Sequence, residues 1–278
     1  MKHLLILFVF ILFSCKEKIK DDAKTIQTAV TETPEIEKAN NPEKPIEKAI
    51  TKAPQTEFNL IDAVVRQLKI NPDKIEFVAH KKLPNIEKES IVVIAETATE
   101  EDDYFRFNSH VLVVESATGQ ILNTFFESYE TNGWQSDALF IDTIAIDTAP
   151  YNVTETDRAF GIRIYSRTLS QPNPYSLESI SLFVKSENTL RNILKNYEVK
   201  VYGGEWDTIC YGEFTDVKKT LIISKEKSND YFDIVVKSNI TETKNDEDEN
   251  GECISKEKRT TSKTVLKFNG KEYKSENL

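Results

Sequence analysis

The sequence predicts a mainly β protein of antiparallel meander units, propeller-like or sandwich, with one N-terminal helix and one short internal helix. Three observations carry that expectation. From Ile75 onward apolar residues recur with period two, in runs rich in β-branched and aromatic side chains. Turn signals punctuate the runs, with Thr118-Gly119 and Asn269-Gly270 as hairpin pairs. About 220 residues follow position 56, which suits a single all-β domain over 57–278 with a dozen short strands.

The elements follow in order. Leu60, Ile61, Val64, Val65 and Leu68 share one face at helical spacing, and Pro72 comes shortly after, so the domain opens with a helix. Candidate strands are Ile75–His80, Ser90–Glu96, Tyr104–Glu115, Gln120–Ser128, Ala138–Ile146 and Ala159–Arg167. They continue at Glu178–Lys185, Val199–Tyr202, Lys219–Lys225, Tyr231–Thr241, Ile254–Thr261 and Thr264–Phe268. In this half only Asn188–Asn196, with Leu190, Ile193 and Leu194, has helical spacing, and it is the expected internal helix. Three stretches, roughly 75–130, 138–202 and 217–274, each read as a meander of three or four strands. No residue-level repeat accompanies them, and three units are too few to close a propeller ring. A sandwich or large twisted sheet is an equal expectation.

The N-terminal segment reads differently. Met1-Lys2-His3 precedes the apolar run Leu4–Phe13, then Ser14-Cys15, which is the layout of a secretion signal over 1–14. Ten residues rise only about 15 Å as a helix, too short to span a bilayer. The ending Leu12-Phe13-Ser14-Cys15 resembles the lipobox of bacterial lipoproteins. That resemblance implies that Cys15 becomes the N-terminus and carries acyl chains such as palmitate. It implies a protein held to a lipid bilayer in the cell envelope, at the outer membrane, on its periplasmic or its surface side. Residues 16–56 hold no Gly, Trp, Tyr or Phe but four prolines. Such a chain cannot bury enough apolar surface to offset its ordering entropy, so 15–56 reads as anchor plus disordered stalk. A flexible chain of that length spans about 35 Å.

With Cys15 acylated, Cys210 and Cys253 remain in an oxidising compartment, and one disulfide between them is the economical reading. Two free thiols are the alternative. The net charge of −10 becomes −11 once Lys2 leaves with the signal, and no basic stripe emerges, so nucleic acid is an improbable partner. No Gly-x-Ser-x-Gly, His-Glu-x-x-His, Cys-x-x-Cys or phosphate loop occurs. His80 and His110, in or ending strand-like runs, read as structural or surface residues.

Unusual residues concentrate in five phrases. These are Asn132-Gly-Trp-Gln-Ser-Asp137, Ile146-Asp-Thr-Ala-Pro-Tyr151, Ala159-Phe-Gly-Ile-Arg163, Gln171-Pro-Asn-Pro-Tyr175 and Gly204-Glu-Trp-Asp-Thr-Ile-Cys-Tyr-Gly-Glu-Phe214. Together they resemble an uncharacterised family of exported Gram-negative proteins with the same Gly-Trp-x-Ser-Asp, Ile-Asp-Thr-Ala-Pro-Tyr, Phe-Gly-Ile-Arg and Gly-Glu-Trp-Asp-Thr-x-Cys elements, over roughly Ser109 to Ser275. The resemblance implies export and a single domain, and it carries over no activity in either direction.

Two chemistries compete for these residues. Trp134 and Trp206 read first as core anchors at strand ends, with Asp137 and Asp207 capping turns and Arg163 pairing with one of them. Alternatively, Trp134, Asp137, Arg163, Glu205, Trp206 and Asp207 furnish a groove for a carbohydrate or protein ligand. Catalysis would need Glu205, Asp207 and Glu213 at hydrolase separations. In a strand, Glu205 and Asp207 share the face opposite Trp206.

The stretch from Asp246 reads Asp-x-Asp-x-Asn-Gly, then five residues, then Glu257, a match to an EF-hand calcium loop. Its flanks are β-branched rather than helical, which rejects an EF-hand and predicts an acidic hairpin loop over 245–252. Asp246, Asp248 and Asn250, completed by Glu252 or Glu257, define a weak calcium site, near 10⁻⁴–10⁻³ M, as the alternative to a solvated turn. No other cofactor is implied. The sequence leaves the oligomeric state open. It favours a lipid-anchored envelope protein with a non-enzymatic binding or structural role over a hydrolase of envelope polymers.

Overall fold

The computed structural model describes residues 58–101 and 104–275; the signal segment, Cys15 and the stalk lie outside them. The described chain is mainly β, with two helices and thirteen strands in one branched sheet. Helix α1 (Leu60–Leu68) starts where Asn59 accepts hydrogen bonds from the backbone N–H groups of Ile61 and Asp62. It ends at Lys69, in left-handed backbone conformation.

The first meander comprises β1 (Ile75–Leu83), β2 (Ile86–Glu101), β3 (Tyr104–Glu115) and β4 (Ile121–Glu127). After a short helix α2 (Tyr129–Asn132) and β5 (Gln135–Ser136), the second comprises β6 (Phe140–Asn152), β7 (Arg158–Arg167), β8 (Tyr175–Ser186) and β9 (Thr189–Trp206). The third comprises β10 (Gly212–Ser228), β11 (Tyr231–Glu247), β12 (Cys253–Phe268) and β13 (Tyr273–Ser275). The three expected meanders are thus present. The end of β9 continues the sheet into β10, while β4 meets β9 through one parallel bridge, Thr124 to Thr189.

Period-two burial explains the layering. Ile91, Val93 and Ala95 of β2 enter a core shared with Ile144, Ile146, Phe160 and Ile162 of the second meander. The alternate residues Val92 and Ile94 pack instead with Val64 and Val65 of α1. A strand buried on both faces reads as a continuous apolar run, as Ile91–Ala95 does. A further core joins Ile180, Leu182 and Val184 of β8 to Ile234, Val236 and Leu266 of the third meander. Gln67 ties α1 to the β3–β4 turn by donating to the Gly119 carbonyl at 2.7 Å. Gly119 has φ +73°, and a Cβ there would lie 2.8 Å from that of Ala63, so both the turn and the helix contact require glycine.

Two expectations are corrected. Asn188–Asn196 is not the internal helix; it is the start of β9, and the short internal helix is α2 instead. Register shifts against β8 break the period-two alternation here, so Leu190 joins one core while both Ile193 and Leu194 join the other. Bulged strand and helix then give the same apolar spacing. The two strands expected at Ile254–Thr261 and Thr264–Phe268 are one, because β12 pairs with β11 without a break through Ser262 and Lys263. The loop around Asn269-Gly270 closes over four residues, Phe268 facing Tyr273.

Candidate functional site

The five unusual phrases separate into three places. Asn132-Gly133-Trp134 is a structural knot. The buried Asn132 amide donates to the Phe107 carbonyl at 2.8 Å, and its carbonyl oxygen accepts from the Trp134 N–H at 2.7 Å. Trp134 itself is buried in the core between the first two meanders. Asp137 caps a turn by accepting from the Leu139 N–H at 2.7 Å.

The Ile-Asp-Thr-Ala-Pro-Tyr and Phe-Gly-Ile-Arg phrases meet each other across β6 and β7, where Asp147 faces Gly161. Arg163 donates to Asp147 at 2.8 Å and to Glu178, which Lys200 also holds at 2.6 Å. Arg163 therefore pairs with neither Asp137 nor Asp207, because its strand neighbours supply closer carboxylates. Burial pushes the Asp147 carboxyl up, but the Ala149 N–H, Arg163 and the Tyr151 hydroxyl outweigh it and hold it below the usual range. Glu178 behaves alike: burial raises it, and Lys200 and Arg163 bring it down further. Burial and the Asp147 charge push the Tyr151 phenol up to about 12. All members are partnered, and both carboxyls and the Tyr151 phenol are moved away from neutrality.

The third place is open. Gln171-Pro-Asn-Pro-Tyr175 forms a loop against the end of β9, where the Trp206 N–H donates to the Pro172 carbonyl at 2.8 Å and the Gly204 N–H to Pro174 at 3.2 Å. Pairing of β9 with β10 sets Gly204 opposite Phe214 and Trp206 opposite Gly212. Tyr202, Trp206 and Phe214 consequently share one face of the sheet. The rings of Tyr202 and Phe214 are nearly parallel, 7° apart with centroids 6.1 Å apart. Glycine is required beneath them: a Cβ on Gly204 would lie 2.5 Å from Cδ1 of Phe214.

These rings floor a groove of about 710 Å³. Thr243, Asn245 and Ser255 of β11 and β12 form one wall, and Ser170, Gln171 and Pro174 of the loop form the other. No charged side chain lines it. Glu205 and Glu213 point to the opposite face, where Lys244 lies 3.2 Å from Glu213. At the end of the ribbon Glu205, Trp206, Asp207 and Glu213 do border a second recess of about 510 Å³. The three acids are exposed there. Asp207 accepts from the N–H groups of Ile209 and Cys210, both at 2.9 Å, which holds its carboxyl below the ordinary value. It is a turn cap.

No protein-family model, curated protein or solved structure matches the chain.

A disulfide joins Cys210 to Cys253, with Cα atoms 5.7 Å apart, and closes a sequence separation of 43 residues. Loop-closure entropy assigns it about 4 kcal/mol. It ties the β9–β10 loop to the start of β12, so it holds together the elements that carry Trp206 and Ser255. The acidic stretch is a hairpin, with strand on both sides and Glu247 facing Cys253. Asp248 accepts from the N–H groups of Asn250 and Glu252, both at 2.9 Å, and those bonds hold its carboxyl low. Among the described residues no group of three or more His, Cys, Asp or Glu side chains is arranged to hold a metal ion. Of the histidines, His110 bonds Glu96 at 2.9 Å against the Phe126 ring, and His80 is exposed.

Of the residues singled out in the sequence, then, Glu205, Trp206 and Asp207 come together, while Trp134, Asp137 and Arg163 serve elsewhere. Tyr202, Thr243, Asn245 and Ser255 carry no local signal. They become visible only through the pairing of β9, β10, β11 and β12.

Proposed function

We propose that this protein is a lipid-anchored component of the bacterial cell envelope that binds a carbohydrate or protein ligand without transforming it. The observation that carries the reading is the uncharged groove floored by Tyr202, Trp206 and Phe214. Half-buried and exposed aromatic rings ringed by amides and hydroxyls offer apolar contact and orienting polar groups together, as ligand sites do. The lipobox-like ending at Cys15 and the resemblance to exported proteins support the location. A hydrolase is the weaker reading. A general acid needs desolvation to hold its proton at neutral pH, whereas Glu205, Asp207 and Glu213 are exposed.

The test is co-sedimentation of the full chain with purified, insoluble envelope polymer. Binding should fall about tenfold in Trp206→Ala, the scale of one lost aromatic contact. The polymer's chain length should stay constant. Release of soluble fragments would favour the hydrolase instead.

A further inference from the structure

We infer that the groove takes an uncharged glycan chain. This rests on the binding reading above and names its ligand class.

The floor comes first. A sugar ring presents a face of C–H groups and a rim of hydroxyls. The near-parallel Tyr202 and Phe214 rings, with Trp206 beyond them, match the face. Tyr202 and Trp206 are four residues apart on one strand, about 13 Å, which accommodates more than one sugar unit in line. The walls match the rim. Gln171, Thr243, Asn245 and Ser255 present amides and hydroxyls that make no side-chain hydrogen bond among the described residues, so they are free for a ligand. Amide and hydroxyl groups both donate and accept, as a sugar hydroxyl requires.

Charge selects against the alternatives. Charged residues make up 29% of the chain, yet none lines this groove. The next acid on that face of β12, Glu257, is held by Arg259 at 2.6 Å. Within the lining an acidic glycan would find no cation to pair with, and a charged peptide would leave its charges unmatched.

Backbone geometry selects further. An extended peptide gains affinity by adding to a sheet edge. The strands that floor the groove offer no such edge. β10 is paired on both sides, with β9 and β11, and β11 with β10 and β12. The free side of β9 is already taken by Tyr175 and the carbonyls of Pro172 and Pro174. Among the described residues the outer edge of β12 is unpaired over 253–265, but Tyr202, Trp206 and Phe214 lie on the face of inner strands, so recognition on the floor falls to side chains.

The experiment presents the detergent-solubilised full chain to two printed arrays, one of neutral and acidic glycans and one of peptides. Capture should occur on neutral glycans. Trp206→Ala should weaken it about tenfold. Ser255→Glu, at an exposed position, should abolish it by placing an unpaired charge in the wall, and a circular dichroism melt matching wild type separates that loss from unfolding. Capture confined to peptides or acidic glycans, and dependent on Trp206, overturns the glycan assignment and leaves the binding reading standing. Capture on neither array, or capture unaffected by both substitutions, overturns both.

Discussion

Glycine 204 shows how much of the site rests on single atoms. Its missing side chain lets the Phe214 ring lie across the strand: a Cβ would sit 2.3 Å from the Glu213 carbonyl oxygen and 2.5 Å from Cδ1 of Phe214. Gly204→Ala should therefore destabilise by about 1–3 kcal/mol, the range of overpacking, lowering the melting temperature by several degrees, and should also weaken ligand capture. Gly251, with φ +78° and open space around it, is the control. Gly251→Ala should carry only the backbone penalty of about 1 kcal/mol and leave capture intact. Equal effects on capture would contradict the role given to Phe214. Trp206 was legible in the sequence because a tryptophan between acids and glycines is conspicuous. Phe214 was not, because its place over Gly204 depends on pairing across the β9–β10 turn. Arg163 was conspicuous too, but its work is structural. Its partners Asp147 and Glu178 both titrate below their ordinary values when folded. Their stabilisation is thus complete above the unfolded values, near pH 4, and is lost as pH falls through the folded ones. Thermal melts of Arg163→Gln should show a loss of about 1–3 kcal/mol at pH 7, from carboxylates left without their cation. The gap to wild type should narrow as pH drops below about 4. Parallel curves across pH would refute that account.

At the scale of elements, legibility followed periodicity. The opening helix, β3 and the strand runs with clean alternation could be read directly. The segment from Asn188 to Asn196 could not, since bulges against β8 reproduce helical spacing, and the continuity of β12 through Ser262 and Lys263 shows only in its pairing with β11. The acidic hairpin is the instructive case. Its composition matches a calcium loop, while its β-branched flanks and the strands they form exclude the helix–loop–helix frame that an EF-hand needs. Asp248 already accepts two backbone N–H groups that shape the turn. A solvated turn is therefore the expected behaviour. Melting temperatures in millimolar calcium and in chelator should agree within error for wild type and for Asp248→Ala alike. A calcium-dependent rise in wild type that Asp248→Ala lacks would establish a weak cation site at Asp246, Asp248 and Asn250.

For the molecule as a whole, the sequence carried the count of meanders and their approximate limits, because alternation and turn residues are local. It did not carry which meander packs on which. Ile91 and Val92 are equally apolar, and only the assembled layers send one toward the second meander and the other toward α1. The same division between local and assembled information bears on anchoring. The lipobox-like tetrapeptide is a local signal, and the proposed tether follows from it without reference to the domain. An acidic body of net charge −11, taken without Lys2, would be repelled by an anionic headgroup layer. For the proposed tether, durable attachment would fall to acyl chains, and several chains on one cysteine suffice where one binds only marginally. Cells fed an alkyne-tagged palmitate should label the wild-type chain. In Cys15→Ala the label should vanish, and the protein should accumulate with its first fourteen residues attached or appear in the soluble fraction. Wild-type chain that takes up no tagged fatty acid would remove the anchor, and with it the reason for placing the binding groove at a membrane.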